Sequence, residues 1–215
     1  MLKKATLDPE TLKNYRPISN LSFISKLIER IVAKQINDYL AENKLVDKYQ
    51  SAYRMFHSTE TALLKVQNDI LTNMQNRRVT ALVMLDLSAA FDTIDHSLLF
   101  QRLETRFGIS GTALKWIKSY LCNRSQCVSV AGLTSSDVNL EFGVPQGSVL
   151  GPLLFTLYVA PLADIAKQSD VDHHMYMPMI ISYTLRSTQI RTRRICWIVS
   201  RIASQLSKYG CREIC

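Results

Sequence analysis

The residue of this chain best placed for chemistry is Asp86, which nearly ends the run Val79-Thr80-Ala81-Leu82-Val83-Met84-Leu85-Asp86-Leu87. The run is short, mostly apolar and rich in β-formers, and it reads as a central strand buried on both faces. A carboxylate delivered at the end of such a strand is costly unless a partner compensates its charge. A divalent metal ion is one such partner; a helix N-terminus or an arginine is another, and the residue alone does not choose between them. Asp92 and Asp95 follow where a helix begins, and acids there satisfy free backbone N–H groups, so both are read as non-catalytic. His57 and His96 have no Cys or His nearby at metal-ligating spacing and are read as structural.

The elements that must position these groups are legible from periodicity and punctuation. Ser22 can cap a helix whose apolar positions Ile24, Leu27, Ile28, Ile31 and Leu40 recur at helical spacing. Ser58 can cap a second helix, with Leu63, Val66, Ile70 and Met74 on one face. After the strand, helices are expected around 98–107 and 113–121, separated by Gly108 and Gly111. Residues 126–130 and 138–142 flank a turn at Gly132 and read as a β-hairpin. Gly143-Val144-Pro145-Gln146-Gly147 then opens a last helix from Val149 to about Ile165.

Charge and cysteines divide the chain at Tyr176. Residues 177–215 hold seven Lys and Arg against one acid, a charge of +6, whereas the 19 basic and 17 acidic residues before them leave only +2 of the overall +8. Bulk charge therefore does not argue for a nucleic-acid surface on the main body. Cys122 and Cys127 lie in the body and Cys196, Cys211 and Cys215 crowd the end, with no CxxC or Cys/His zinc spacing. Their odd number reads as reduced thiols and an intracellular setting, without distinguishing nucleus from cytoplasm. The N-terminus has no apolar targeting segment. Residues 142–163 carry no charge, and Pro145, Gly147, Gly151, Pro152 and Pro161 make them a loop entering a buried helix rather than a membrane span.

Four blocks add a resemblance. Leu85-Asp86-Leu87-Ser88-Ala89-Ala90-Phe91-Asp92-Thr93-Ile94-Asp95-His96 resembles motif A of reverse transcriptases. In the family's order come Asn14-Tyr15-Arg16-Pro17-Ile18-Ser19, then Gln50-Ser51-Ala52-Tyr53-Arg54 with His57-Ser58-Thr59-Glu60-Thr61, and finally residues 143–152 from Gly143 to Pro152. Their wording is similar to LINE-type, non-LTR retrotransposon enzymes more than to retroviral ones, and group II intron maturases and telomerase are poorer matches. The resemblance implies an α+β fold, a right-hand polymerase with helical fingers and a partial palm whose antiparallel sheet is backed by helices. It implies RNA-directed DNA synthesis by two-metal displacement, with Mg²⁺, an RNA template, a DNA primer and dNTPs. Asp86 would be the catalytic metal ligand, with the Leu87 carbonyl beside it. Phe91 would be the aromatic gate against a 2′-OH, Arg54 the clamp on the triphosphate, and Gln146 and Gly147 the loop under nucleotide and template. Taken singly, Phe91 is equally a core aromatic, Arg54 a surface arginine and Gln146-Gly147 a turn.

The resemblance breaks after Tyr176. Family members show a Tyr-Ala-Asp-Asp hairpin there, and its acids complete the metal site; this chain reads Tyr176-Met177-Pro178-Met179-Ile180-Ile181-Ser182-Tyr183. Codons ATG, CCN, ATG, ATH, ATH, AGY, TAY and ACN encode Met177 to Thr184. Read two bases later they give Ala, permit Asp, give Asp, permit Asn and Gln, give Leu and permit Tyr. A two-base frame break after codon 176 would thus account for the lost acids, the charge jump and the clustered cysteines. The expected organisation is an extended lead-in over 1–13, an incomplete reverse transcriptase fingers/palm over 14–176 with Tyr176 as the remnant of the third motif, and an out-of-frame, poorly ordered tail over 177–215. A palm so truncated should lack the hairpin that pairs beside the Asp86 strand, bind Mg²⁺ weakly or not at all, and be catalytically silent. A non-catalytic nucleic-acid-binding remnant, using Arg16, Arg54 and Lys65 on phosphate, and a decayed element copy without cellular role are the alternatives.

Overall fold

The computed structural model describes residues 18–86, 90–130, 132–168, 172–177 and 180–187 with a few isolated positions near either end; along 79–86 and 172–187 it describes mainly the backbone. Helix α1 (Phe23–Glu42) begins where the sequence places it, with the Ser22 hydroxyl accepting from the Ser25 N–H at 3.2 Å. Helix α2 (Thr59–Gln75) starts at Ser58 in a reciprocal capping box with Thr61. That arrangement satisfies two otherwise unpaired backbone groups.

The faces of these helices differ from expectation. On α1, Leu40 is buried as expected, but Ile24, Leu27, Ile28 and Ile31 are exposed, and the buried side carries Glu29, Ile36 and Leu40. On α2, Val66 is buried and Ile70 packs beside it, whereas Leu63 and Met74 are exposed and Ala62, Asp69 and Asn73 turn inward. Periodicity shows that a helix has an apolar stripe; only the neighbouring elements decide whether that stripe is covered.

Strand β1 (Val79–Asp86) follows, then α3 (His96–Thr105) and α4 (Gly111–Leu121). Two short ladders come next: β2 (Arg124–Gln126) pairs with β5 (Val138–Leu140), and β3 (Ser129–Val130) with β4 (Leu133–Thr134) around Gly132. The single expected hairpin is thus a nested pair of ladders interrupted near Cys127 and Val128. The expected helix to Ile165 is broken into α5 (Gly151–Val159) and α6 (Pro161–Gln168). Pro161 is the cause, because its ring cannot donate to the preceding turn and clashes with it.

The core sits where α3, α4 and α5 meet. Ile94, Leu99, Leu103, Leu150 and Leu154 are fully buried there, beside Phe155 and Tyr158. Every residue of α5 except Pro152 is buried, so the uncharged stretch is a core helix, and among the described residues no helix is long and apolar enough to cross a membrane. Arg102 donates to the Tyr158 carbonyl and stacks over the Tyr158 ring, tying α3 to α5, and Arg106 forks onto Asp164 to tie α3 to α6. The Tyr39 hydroxyl donates to the Phe107 carbonyl at 2.8 Å and fastens α1 to the end of α3.

Beyond α6, β6 (Asp172–Met177) and β7 (Ile180–Ser187) form an antiparallel pair, and β7 also pairs with β1 from Val79↔Ser187 to Asp86↔Ile180. The strand order is β1-β7-β6. Two expectations need correction. The hairpin beside the Asp86 strand is present as backbone, built from the stretch expected to be poorly ordered, because ladder pairing asks only for extended N–H and C=O groups and tolerates a change of side chains. And β1 lies at an edge of its sheet among the described residues, with Leu82 41% exposed, rather than at the centre buried on both faces. The remainder of 177–215, like most of the lead-in over 1–13, lies outside the described residues.

Candidate functional site

Two loops far apart in sequence are locked together beside α3. Asp95 bridges to Phe142, the Gly143 N–H donates to the Ile94 carbonyl at 2.8 Å, and the Val144 N–H donates to the Phe91 carbonyl at 2.8 Å. His96, buried at the start of α3, sets its Nε2 2.7 Å from the Gly143 carbonyl oxygen and so joins α3 to this clasp. Asp95 accepts from the Leu98 N–H at 2.9 Å and caps α3. Asp92 is not a cap in this structure; it is exposed, and partial desolvation raises its carboxyl above the usual range.

Gly143 makes the close approach possible. Its φ is +84°, and a Cβ there would stand 2.8 Å from the Phe91 carbonyl oxygen and 2.9 Å from the Asp92 Cα. No L side chain fits without moving one of the two backbones. Phe91 is half-buried, its ring edge-on to Phe155 at 5.7 Å.

From Val144 the chain turns through Pro145, Gln146 and Gly147, and the Ser148 N–H donates back to the Pro145 carbonyl at 3.0 Å. Gly147 has φ +99°, and the Gln146 carbonyl accepts from the Ser19 N–H at 3.0 Å. Ser19, Phe91, Gln146 and Gly147 are therefore brought into one neighbourhood from three separate sequence blocks. Arg54 is not tied to that neighbourhood. It is exposed, and its Nη1 donates at 3.3–3.5 Å to the carbonyls of Asp47, Lys48 and Gln50 on its own loop.

Asp86 closes the β1–β7 ladder opposite Ile180, and Met177 of β6 also pairs with Ile180. The register of β6 shifts between Met175 and Met177, which puts Tyr176 at the irregularity. Leu87 lies outside the described residues. The residues that the ladder sets beside Asp86 do not fit a divalent metal pair: Ile180, Ile181 and Met177 offer no side-chain oxygen, the ligand type hard cations require. Among the described residues no group of three or more His, Cys, Asp or Glu is gathered for a metal ion.

Three residues of this region were not singled out from sequence. Glu29 is 1% exposed and accepts from the Val149 and Leu150 N–H groups; Ser148 accepts from the Gly151 N–H at 2.7 Å; Tyr120 stacks on Trp116 with ring centroids 5.6 Å apart. The available signal for Glu29 was its spacing, seven and eleven residues before the core positions Ile36 and Leu40 on one helical face. Burial pushes the Tyr120 hydroxyl up to about 12, with Ser148 and Arg124 opposing and Glu29 reinforcing the shift. An acid held protonated in the fold favours the folded state fully below its unfolded value near 10, and that advantage is lost as pH rises through about 12. Urea midpoints of the parent chain should therefore fall from pH 9 to pH 11 by more than those of Tyr120→Phe; equal falls would remove Tyr120 as the cause.

The arrangement is one of mixed helices and small antiparallel sheets, with the Phe91 loop and the Pro-Gln-Gly turn held together at Gly143. The chain belongs to the reverse transcriptase (RNA-dependent DNA polymerase) family, whose sequence model matches residues 2–211. It is 35% identical over 162 residues to a probable RNA-directed DNA polymerase from transposon BS of Drosophila melanogaster, covering 75% of this chain and 18% of that protein. It is 28% identical over 205 residues to the RNA-directed DNA polymerase from mobile element jockey of Drosophila funebris, covering 95% of this chain and 22% of that one. These relatives are non-LTR retrotransposon polymerases, as the wording of the four blocks implied. The chain thus spans about a fifth of the length of the relatives it matches. Among solved structures, an apo telomerase from Candida tropicalis truncated from its C-terminal domain shares the fold at a TM-score of 0.59 and 13% identity, over 86% of this chain and 38% of that one.

Proposed function

We propose that residues 14–176 are the fingers and upper palm of a non-LTR RNA-directed DNA polymerase whose present chain is catalytically silent. The observation that carries this reading is the ladder register. Asp86 ends its strand opposite Ile180, and the only positions between β6 and β7 are 178 and 179, occupied by Pro178 and Met179. By the family's order these are the two positions that carry the hairpin's acids, and neither residue in this chain offers a carboxylate. In this reading Asp86 is the remaining metal ligand with the Leu87 carbonyl, Phe91 is the gate against ribonucleotides, and Gln146 and Gly147 support nucleotide and template. Arg54 binds triphosphate only after leaving the carbonyls it now holds, an exchange of neutral acceptors for charged ones that favours the triphosphate. The RNA template, DNA primer, dNTP and Mg²⁺ are partners of the parent enzyme.

A two-base break in the message after codon 176 accounts for the missing acids. Such a break puts every residue from Met177 onward out of frame, β7 included, although β7 still pairs with β1 as backbone. Sequencing the transcript across Tyr176 tests this: an unbroken frame with no hidden Ala-Asp-Asp would refute it.

The function is tested by primer extension on an RNA template with Mg²⁺ and dNTPs. The chain should give no product above its Asp86→Ala variant, while retaining salt-dependent affinity for an RNA/DNA hybrid. Product that depends on Asp86 would refute the silent reading, and absence of any salt-dependent binding would refute the nucleic-acid reading.

A further inference from the structure

Glu29 lies on the buried side of α1, and its carboxylate is used entirely by groups outside the α1 ladder. Oε2 accepts from the Val149 N–H at 2.7 Å and the Leu150 N–H at 3.3 Å, and Oε1 accepts from the Ser25 hydroxyl at 3.1 Å. The residue that precedes α5, Leu150, has no side chain able to cap the helix. The Gly151 N–H is taken locally by the Ser148 hydroxyl at 2.7 Å, and the two amides just ahead of it are held from α1, some 120 residues earlier in the chain. Free N–H groups at a helix start favour an anionic acceptor, and a buried carboxylate with three donors answers that need while meeting its own.

The capped amides directly follow Gln146, Gly147 and Ser148. Upstream, the same loop is anchored by the Ser19 bond to Gln146 and by the clasp of Gly143 and Val144 on residues 91–94. Glu29 is the anchor on its far side. We propose that Glu29 is a positioning residue, which sets where Gln146 and Gly147 stand relative to a bound hybrid and nucleotide. The proposal rests on the reading of that loop given above, and extends it to a residue of α1 that touches neither ligand.

The geometry separates two substitutions. In Glu29→Gln the remaining oxygen can accept from both amides, and the new NH₂ faces the Ser25 hydroxyl, which can turn to accept. In Glu29→Leu the volume is roughly kept, and both amides lose their acceptor inside the protein. Amide hydrogen exchange and affinity for an RNA/DNA hybrid are to be measured on the full chain and on both variants. In the Leu variant, exchange at Val149 and Leu150 should accelerate by at least about tenfold while Ile117 and Leu121 of α4 stay unchanged, and hybrid affinity should fall by about tenfold. The Gln variant should stay within about twofold of the parent in both measurements. The proposal is overturned if the two amides remain protected in the Leu variant, if protection is lost equally across α4, or if Gln behaves as Leu does. It is also overturned if the amides open selectively and hybrid affinity does not change. A parent chain without hybrid affinity overturns the polymerase reading instead, while the amide pattern still decides whether Glu29 anchors the loop.

Discussion

Replacing Met177-Pro178-Met179 through Met177→Ala, Pro178→Asp and Met179→Asp is expected to create a divalent cation site, none being gathered among the described residues. Two divalent ions held about 4 Å apart repel by roughly 16 kcal/mol at an effective dielectric of about 20, four times the unit-charge figure. A lone carboxylate cannot offset that repulsion together with the dehydration of both ions. The two added acids would fall in the sequence between β6 and β7, whose described ends, Met177 and Ile180, pair with each other while Ile180 also pairs with Asp86. Mn²⁺ binding followed by EPR should tighten by at least about tenfold in the triple variant, and the gain should vanish when Asp86→Ala is added. The unchanged chain should bind Mn²⁺ no better than its own Asp86→Ala variant. If the triple variant binds no more tightly, a shortage of carboxylates does not limit metal binding here, and the correspondence of positions 178 and 179 to the family's acids falls with it.

Gly143→Ala should be among the most destabilising single substitutions in the chain. Gly132 supplies the control, because both residues have φ +84°. At Gly132 a Cβ would meet nothing within 4 Å, so Gly132→Ala isolates the cost of the left-handed backbone, about 1–2 kcal/mol. At Gly143 the same cost is joined by contacts with the Phe91 carbonyl oxygen and the Asp92 Cα, both below 3 Å and both backbone. The clasp must open to relieve them, and its bonds to Ile94 and Phe91 go with it. A total of about 3–5 kcal/mol by urea denaturation is expected, at least about 2 kcal/mol beyond Gly132→Ala. Equal losses at the two glycines would mean that the close approach of the loops contributes nothing.

The coupling at Gly143 also shows where chain reading stops. The motifs could be quoted in order, and Ser22, Ser58 and Gly132 marked elements that form near where they were placed. Capping and turn signals act over a few residues, so sequence holds all of their causes. The proline that splits α5 from α6 was equally visible at Pro161, yet the uninterrupted apolar run around it masked its effect. The stripe Ile24, Leu27, Ile28 and Ile31 misled in another way. Helical spacing was right and the inward face wrong, because the buried side of α1 is the one carrying Glu29, Ile36 and Leu40, chosen by what packs against it. The Arg54 side chain, whose expected role concerns a triphosphate, instead bonds three carbonyls that no spacing rule connects to it.

The amino-acid sequence by itself determined the family, the starts of α1 and α2, the solitary acid at the end of β1 and the absence of an Asp-Asp pair directly after Tyr176. Each of these depends on residue identity or on neighbours close along the chain. Only the tertiary structure decided that β7 pairs with β1, that Gly143 clasps the Phe91 loop, and that a glutamate in α1 holds the two amides ahead of α5. Those outcomes depend on backbone groups and buried amides meeting across long stretches of chain, where hydrogen-bond satisfaction and packing, rather than local preference, select the partner.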